Sequence, residues 1–165
     1  MNAITRDALQ SMLSDIRGAT FATLVTATDP KLRKTGNPLG NVRKVSRVNV
    51  TLGFQYEGAV NRQRAREGSE ADFQTAPRQW GTKISPMLIE HKGKVYLETK
   101  IERSLGHSFI DADGKEIDSK MVEPFLPART PSTRQETEKE ILVRDYALES
   151  ILSVAIRGEE YVVIQ

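Results

Sequence analysis

The fold is decided by residues 42–56, which read VRKVSRVNVTLGFQY. Apolar side chains recur there at every second position, and the members of this row are Val48, Val50, Leu52, Phe54 and Tyr56. An alternation with a period of two is typical of a strand that buries one face. Arg43, Arg47, Asn49 and Thr51 fall on the opposite face. Lys44 and Val45 break the alternation, which predicts a bulge or bend near residue 45.

Weaker signals predict the elements around this strand. Thr5 is expected to cap a helix that runs through Ile16 and stops at Gly18. Further expected elements are a strand over 20–27, a basic helix or turn over 59–66, hairpins turning at 92–94 and 111–114, a short helix from Asp118 or Ser119 to Phe125, and strands over 141–144, 151–156 and 161–164. The first of these hairpins joins strands over 87–91 and 95–101. Residues 31–41 and 68–75 read as loops.

Turns rather than crossover helices join the neighbouring strands, so the predicted class is α+β with a mostly antiparallel sheet. The prediction is one domain over residues 1–165, with a flexible excursion near 128–140, where proline, serine and charges are frequent. A small open barrel with an N-terminal helix is the expected architecture. The sequence leaves an OB-like barrel, an SH3-like barrel and a curved sheet all open.

Composition narrows the class of protein. The 165 residues include no cysteine, which excludes disulfides, thiolate zinc sites and cysteine nucleophiles. No apolar run approaches the roughly 20 residues of a membrane span, and the start of the chain lacks the features of a secretory signal. We therefore expect a cytoplasmic protein that is not held in a membrane. No catalytic motif occurs, so we expect neither an enzyme nor a cofactor.

Positive charge is concentrated in one segment. Residues 31–66 carry nine Lys or Arg and a single acid, Glu57, for a net charge of +8, while the whole chain has +2. Such a segment is the expected electrostatic footprint for a polyanion, because each cation that neutralises a phosphate releases counterions. The predicted partner is single-stranded DNA or RNA. The alternative is that these arginines form a solvated face paired to acids elsewhere in the fold.

The candidate nucleic-acid-binding residues are cations of this segment and two aromatic residues on which bases could stack. They are Arg33, Lys34, Arg43, Lys44, Arg47, Tyr56, Arg62, Arg64, Arg66 and Trp80. Trp80 stands between the cations Arg78 and Lys83, but tryptophan is buried more often than exposed. Phe54 and Tyr56 share the apolar row of the long strand. If that row is core, stacking must come from Trp80, from Tyr56 at the strand end, or from neither.

A metal-dependent nuclease is the enzymatic alternative. Asp111, Asp113 and Glu116 lie close together in sequence, and Asp111-x-Asp113-Gly114 resembles the opening of a calcium loop. The glycine comes two positions early and the later ligands are missing, so an ordinary turn explains these acids better. We expect no catalytic or metal-binding residue here.

Several stretches resemble a small protein family encoded by tailed bacteriophages. They are residues 44–54 (KVSRVNVTLGF), 59–64 (AVNRQR), 80–81 (WG), 91–98 (HKGKVYLE) and 144–151 (RDYALESI). The resemblance implies a viral protein that acts in the cytoplasm of an infected bacterium. It brings no settled activity and no catalytic residues.

These observations lead to one expected function and one alternative. The expected function is that of a phage single-stranded nucleic-acid-binding protein in DNA replication or recombination. The alternative is a phage interaction protein that inhibits a host protein or counters host defence, because the same charges fit an acidic protein surface. Exposed strand edges would also allow a homodimer.

Overall fold

The computed structural model describes residues 2–30, 32–33, 39–55, 59–61, 81–127 and 141–164. The strands within them are β1 (Asn2–Thr5), β2 (Thr20–Thr28), β3 (Arg43–Leu52), β4 (Ala59–Asn61), β5 (Thr82–Ser85), β6 (Leu88–His91), β7 (Lys94–Ile110), β8 (Glu116–Ile117), β9 (Ile141–Ala147), β10 (Ile151–Ile156) and β11 (Glu159–Ile164). The α-helices are α1 (Arg6–Ser14) and α2 (Ser119–Val122). Two 3₁₀ turns, Glu123–Phe125 and Leu148–Ser150, complete the described elements.

All the strands belong to one mixed sheet, whose main order is β1-β11-β10-β2-β3-β7-β6-β5. Most neighbours are antiparallel, but β1 pairs with β11 and β4 with β9 in parallel. The long strand β7 organises this sheet because its two edges bind different partners. One edge pairs with β6 and then β3, and the other pairs with β9 and then β8. The α+β class with a mostly antiparallel sheet is therefore confirmed.

The alternation that predicted β3 is present in the structure. Val48, Val50 and Leu52 are buried, with at most 5% of each residue exposed, and they pack in the main core. β3 ends at Leu52, so Phe54 lies beyond it, whereas the sequence predicted a strand continuing to Tyr56. Gly53 accounts for this end because its φ of +64° is left-handed and turns the chain out of the extended conformation.

The predicted bulge near residue 45 is wrong in position. The register between β2 and β3 is continuous from residue 44 to residue 52. The irregularities lie instead between β3 and β7, where Arg47 and Val48 pair with Gly106 and Ser104, and a second shift follows Asn49. The unpaired extra residues are Leu105 and Glu102 of β7.

The sheet curls. Three strands (β2, β3 and β7) lie between β9 and β10, so a flat sheet would hold β9 and β10 about 19 Å apart. Only the 3₁₀ turn Leu148–Ser150 joins them along the chain, and four residue steps span at most about 14 Å. No hydrogen-bonded register between β9 and β10 closes the described sheet into a barrel. The OB-like or SH3-like barrel therefore stays a prediction.

The main core lies on one face of β2, β3 and β10, which we call the core face. Leu24, Val48 and Val154 are cross-strand partners there, and each is at least 95% buried. Helix α1 covers this face with Leu9 and Leu13, which are fully buried. The helix begins as predicted, because the Thr5 hydroxyl oxygen accepts a hydrogen bond from the Ala8 N–H at 3.2 Å.

A smaller apolar cluster holds the end of β7. Val42, Phe109 and Val122 are buried there, and Leu32 packs against them. The backbone N–H of Arg33 donates to the Phe125 carbonyl at 2.8 Å, which fixes the start of the 31–41 loop against the 3₁₀ turn after α2.

The other predicted strands and hairpins are confirmed, with two corrections. Residues 59–61 form strand β4 and not the predicted helix or turn, and residues 62–66 lie outside the described ranges. β7 is a single strand of 17 residues, where two separate strands were expected. Most of the excursion predicted near 128–140 also lies outside the described residues.

Candidate nucleic-acid interface

The sheet face opposite the core face, which we call the outer face, carries an exposed aromatic residue. Phe21 of β2 is 76% exposed, the largest exposure among the large hydrophobic residues that the structure describes. Its cross-strand partner is Thr51, and the next pair along the strands is Thr23 with Asn49. Strand geometry explains this position. Ala22 and Leu24 point into the core, and side chains alternate along a strand, so Phe21 and Thr23 must point outwards.

Three arginines lie on or beside the outer face. Arg47 and Arg103 belong to this face by register, since Arg103 is paired with Asn49. Arg157, in the turn between β10 and β11, lines a shallow depression of about 370 Å³ together with Phe21 and Asn49. All three arginines are exposed. A sheet face that carries both an exposed aromatic ring and guanidinium groups offers a stacking surface for a base and charge for phosphates.

Arg157 is held in an unusual backbone conformation. Its φ is +53°, and Gly158 follows with +77°, as in the two-residue hairpin turns that normally take Asn-Gly. Lys92 and Gly93 form the equivalent turn between β6 and β7, with φ values of +50° and +80°. A left-handed conformation costs an L-residue such as arginine about 1 kcal/mol or more, so the turn itself does not favour arginine at this position.

Polar contacts hold the outer face beside Phe21. The Thr23 hydroxyl donates to Asn49 Oδ1 at 2.8 Å, and the buried Thr51 hydroxyl donates to Glu102 Oε1 at 2.6 Å. Lys100 Nζ lies 2.8 Å from the same Glu102 oxygen. Hydrogen bonds from Lys100 and Thr51 hold the pKa of the Glu102 carboxyl below its usual value. The bulged residue Glu102 is thus a fixed part of this face.

A second basic feature lies on the core-face side of β2 and β3. It is a cleft of about 800 Å³ lined by the start of α1, the end of β2, the start of β3 and the end of β9. Arg43 and Lys44 both line it. The Arg43 side chain donates to the Ala27 carbonyl at 3.2 Å and lies 3.5 Å from the exposed carboxylate of Asp29. This geometry ties Arg43 to the end of β2.

The far wall of the cleft is formed by Arg144 and Tyr146 of β9. The Arg144 guanidinium carbon lies 5.9 Å from the centre of the Tyr146 ring. Burial raises the pKa of the Tyr146 hydroxyl, and the charge of Arg144 acts in the opposite direction. A hydrogen bond with the Arg144 side chain also lowers the pKa of the Tyr146 hydroxyl.

The structure separates the binding residues that the sequence nominated. Arg43 and Lys44 lie at the cleft, Arg47 lies on the outer face, and the exposed Arg33 lies in the segment fixed to the 3₁₀ turn after α2. Of these four cations, the structure brings Arg43 and Lys44 together at the cleft and places Arg47 on the outer face. The other candidates lie outside the described residues, and they are Lys34, Tyr56, Arg62, Arg64, Arg66 and Trp80.

The acids considered for metal binding form an ordinary turn. Asp111 Oδ1 accepts hydrogen bonds from the backbone N–H groups of Asp113 and Lys115, both at 2.9 Å. Within the described part of the chain, no group of three or more metal-ligating side chains comes together. The sequence did not indicate a different pair of acids, Glu98 and Asp145. They are cross-strand partners, and both are buried. Lys83 Nζ lies 3.9 Å from Glu98.

Sequence reasoning missed Phe21, Arg103 and Arg157. The period-two pattern of residues 20–24 already separates Phe21 from the core positions Ala22 and Leu24, so its exposure was readable from the sequence. Arg103 was missed because the predicted strand stopped at Ile101. Arg157 had been recognised as part of a turn, but its proximity to β2 depends on the pairing of β2 with β10.

None of the helices in the described ranges is long and apolar enough to cross a membrane. Comparison with protein-family models, with curated proteins and with solved structures finds no match to this chain. The resemblance to a tailed-bacteriophage family therefore stays a prediction that rests on the stretches quoted above.

Proposed function

We propose that this chain is a single-stranded nucleic-acid-binding protein and that the outer face holds the strand. The observation that carries the proposal is the exposed ring of Phe21 on a sheet face that also carries Arg47 and Arg103, with Arg157 beside the ring. Bases stack on exposed aromatic rings whatever their sequence, while cations beside them neutralise the phosphates. A duplex hides the faces of its bases, so a surface of this kind favours the single strand.

The surrounding structure supports this role. Thr23, Asn49 and Thr51 form a polar row beside Phe21 that is fixed by cross-strand hydrogen bonds, so the ring stands on a rigid strand and not on a loop. The proposal includes the OB-like or SH3-like open barrel, because curled sheets of this kind present one strand face to nucleic acid. It also includes the setting that the resemblance implies, which is replication or recombination of phage DNA in the host cytoplasm.

The test is fluorescence anisotropy with a labelled single-stranded oligonucleotide, with duplex DNA and RNA as competitors. Phe21→Ala removes the stacking surface, and we expect a loss of about 1 to 3 kcal/mol, or roughly fivefold to 150-fold in affinity, for one stacked base. Met121→Ala is the matched control, because Met121 is also a large exposed hydrophobic residue (55%) but belongs to α2.

Binding by Phe21→Ala equal to that of the unaltered protein would contradict the assignment to the outer face. A complete lack of binding at low salt would contradict the function itself. In that case the outer face becomes a candidate surface for an acidic host protein, and a pull-down from nuclease-treated bacterial lysate is the appropriate next measurement.

A further inference from the structure

The shallow depression on the outer face has a small set of groups that can form hydrogen bonds. Among the described residues that line it, the polar side chains are those of Thr23, Asn49 and Arg157, and none is acidic. Core-facing residues such as Ala22 and Ile156 line it with their backbone, which lies within paired strands. Its volume of about 370 Å³ is near the lower end of the range for small-molecule sites, roughly 300 to 1,000 Å³. A single base is a ligand of suitable size.

A cross-strand hydrogen bond orients the amide group of Asn49. The Thr23 hydroxyl donates to Asn49 Oδ1 at 2.8 Å. A side-chain amide has an accepting oxygen on one side and an NH₂ group with two donors on the other. Because the oxygen is turned towards Thr23, the NH₂ group points away from Thr23. The Asn49 amide therefore offers donors to a ligand in the depression.

Arg157 adds further donors beside the exposed ring of Phe21. It directly follows Ile156, whose cross-strand partner is Ala22, so Arg157 emerges next to Phe21 at the end of these strands. A guanidinium group has five N–H donors and no acceptor. The acceptors among the polar side chains that line the depression are the two oxygens already joined in the Thr23–Asn49 hydrogen bond. Donors therefore dominate this part of the outer face.

This arrangement distinguishes between the two purines. Guanine presents two neighbouring acceptors, O6 and N7, which match the paired donors of arginine, whereas adenine presents N7 beside an amino group that donates. Asparagine recognises adenine through its oxygen and nitrogen together, and the Asn49 oxygen is turned to Thr23. Both purines have two rings to stack on Phe21, and stacking strength is a source of preference over pyrimidines. Guanine is the base that fits both the ring and the donors.

We propose that the depression binds a guanine base of the single strand, which stacks on Phe21 and accepts hydrogen bonds from Asn49 and Arg157 through O6 and N7. Thr23 is a positioning residue, because it orients the Asn49 amide. This assignment rests on the proposed function, which places a strand on the outer face without a preference among bases. A free guanine nucleotide carries the same base edge, so the experiment includes one as a competitor.

Fluorescence anisotropy with labelled short oligothymidylates that carry one central purine tests the assignment. We expect the guanine probe to bind about fivefold to tenfold more tightly than the adenine probe, which is the lower part of the range for a bidentate contact because the depression is shallow. Hypoxanthine keeps O6 and N7 and should bind like guanine. 7-Deazaguanine lacks N7 and should lose most of the advantage over adenine.

The ratio of guanine to adenine affinity separates base recognition from a structural role. Thr23→Val keeps the side-chain shape but releases the Asn49 oxygen, so the ratio should fall towards one. Asn49→Asp replaces the amide donors with acceptors, and the ratio should fall below that of Thr23→Val. Arg47→Gln is the control, because Arg47 is not among the residues that line the depression. It should weaken both probes equally and leave the ratio unchanged, as would a variant that only destabilises the fold.

The inference is overturned if the unaltered protein binds the guanine and adenine probes equally, or if Thr23→Val and Asn49→Asp both keep the full preference. It is also overturned if guanosine monophosphate displaces the guanine probe as effectively as the unlabelled guanine oligonucleotide does, because the ligand would then be a free nucleotide. Failure of the proposed function would look different, since no probe would bind, and neither would plain oligothymidylate.

Discussion

Three glycines allow the two costs of replacing a glycine to be measured separately. Gly18 has a left-handed φ of +74°, but a Cβ there would meet no atom within 4 Å. Gly81 shows no left-handed φ, but a Cβ would lie 2.4 Å from the Glu90 carbonyl oxygen. Gly53 combines both constraints, with a φ of +64° and a Cβ position 2.4 Å from the Gly18 carbonyl oxygen.

The expected costs follow from these geometries. Alanine in place of Gly18 would have to adopt a left-handed φ. The net cost is about 1 kcal/mol, because alanine also reduces the conformational freedom of the unfolded chain, which offsets part of the strain. Pushing a backbone carbonyl away costs roughly 1 to 3 kcal/mol, which applies to Gly81→Ala. Gly53→Ala should carry both costs, or about 2 to 4 kcal/mol, because the carbonyl it meets belongs to the segment that leads into β2.

Urea unfolding followed by far-ultraviolet circular dichroism measures all three variants. We expect Gly53→Ala to be the least stable of the three variants and Gly18→Ala the most stable. If Gly53→Ala loses no more free energy of unfolding than Gly18→Ala, then residues 18 and 53 do not approach each other as described, and the pairing of β2 with β3 near its end is in doubt.

Further predictions concern the core, the turns and one carboxyl group. Leu97→Ala should cost about 2 to 5 kcal/mol in urea unfolding, because Leu97 is fully buried in the main core; a loss below 1 kcal/mol would contradict that burial. Arg157→Asn should stabilise its turn by up to about 1 kcal/mol but weaken oligonucleotide binding. Lys92→Asn should stabilise the equivalent turn and leave oligonucleotide binding unchanged. Equal binding by both variants would count against Arg157 as a contact. The lowered pKa of Glu102 stabilises the fold above pH 4.5, and this stabilisation is lost as the pH falls through the lowered value. We expect the unaltered protein and Glu102→Gln to differ in unfolding free energy by less than about 1 kcal/mol, because the pair is partly exposed. This difference should shrink under acid. A difference that stays constant from pH 7 to pH 2 would argue against the contact.

Sequence patterns predicted the elements in which one face is buried. Val48, Val50 and Leu52 repeat with a period of two because the core lies on a single side of β3, and the Thr5 cap fixed the start of α1 for an equally local reason. The middle of β7 has no such pattern. Residues 102–107 are exposed, so no apolar row marked them as part of a strand.

Pairings between distant segments were not predictable in the same way. β4 is three residues long, and within the described residues it pairs only with β9, some 80 residues further along the chain. Its strand character therefore depends on a neighbour and not on its own composition. The candidate site depends on such pairings too. The alternation of β3 placed Arg47 on the face opposite the apolar row, but only the register between β3 and β7 places Arg103 beside it.

The most direct test of the outer face as a binding surface is the salt dependence of oligonucleotide affinity. Anisotropy titrations across a salt series would compare the unaltered protein with a triple variant in which Arg47, Arg103 and Arg157 are changed to Gln. Each phosphate contact to a single strand contributes about 0.7 to the slope of log affinity against log salt. We expect a steep slope for the unaltered protein that decreases by about 2 in the triple variant. An unchanged slope would contradict the assignment of binding to the outer face.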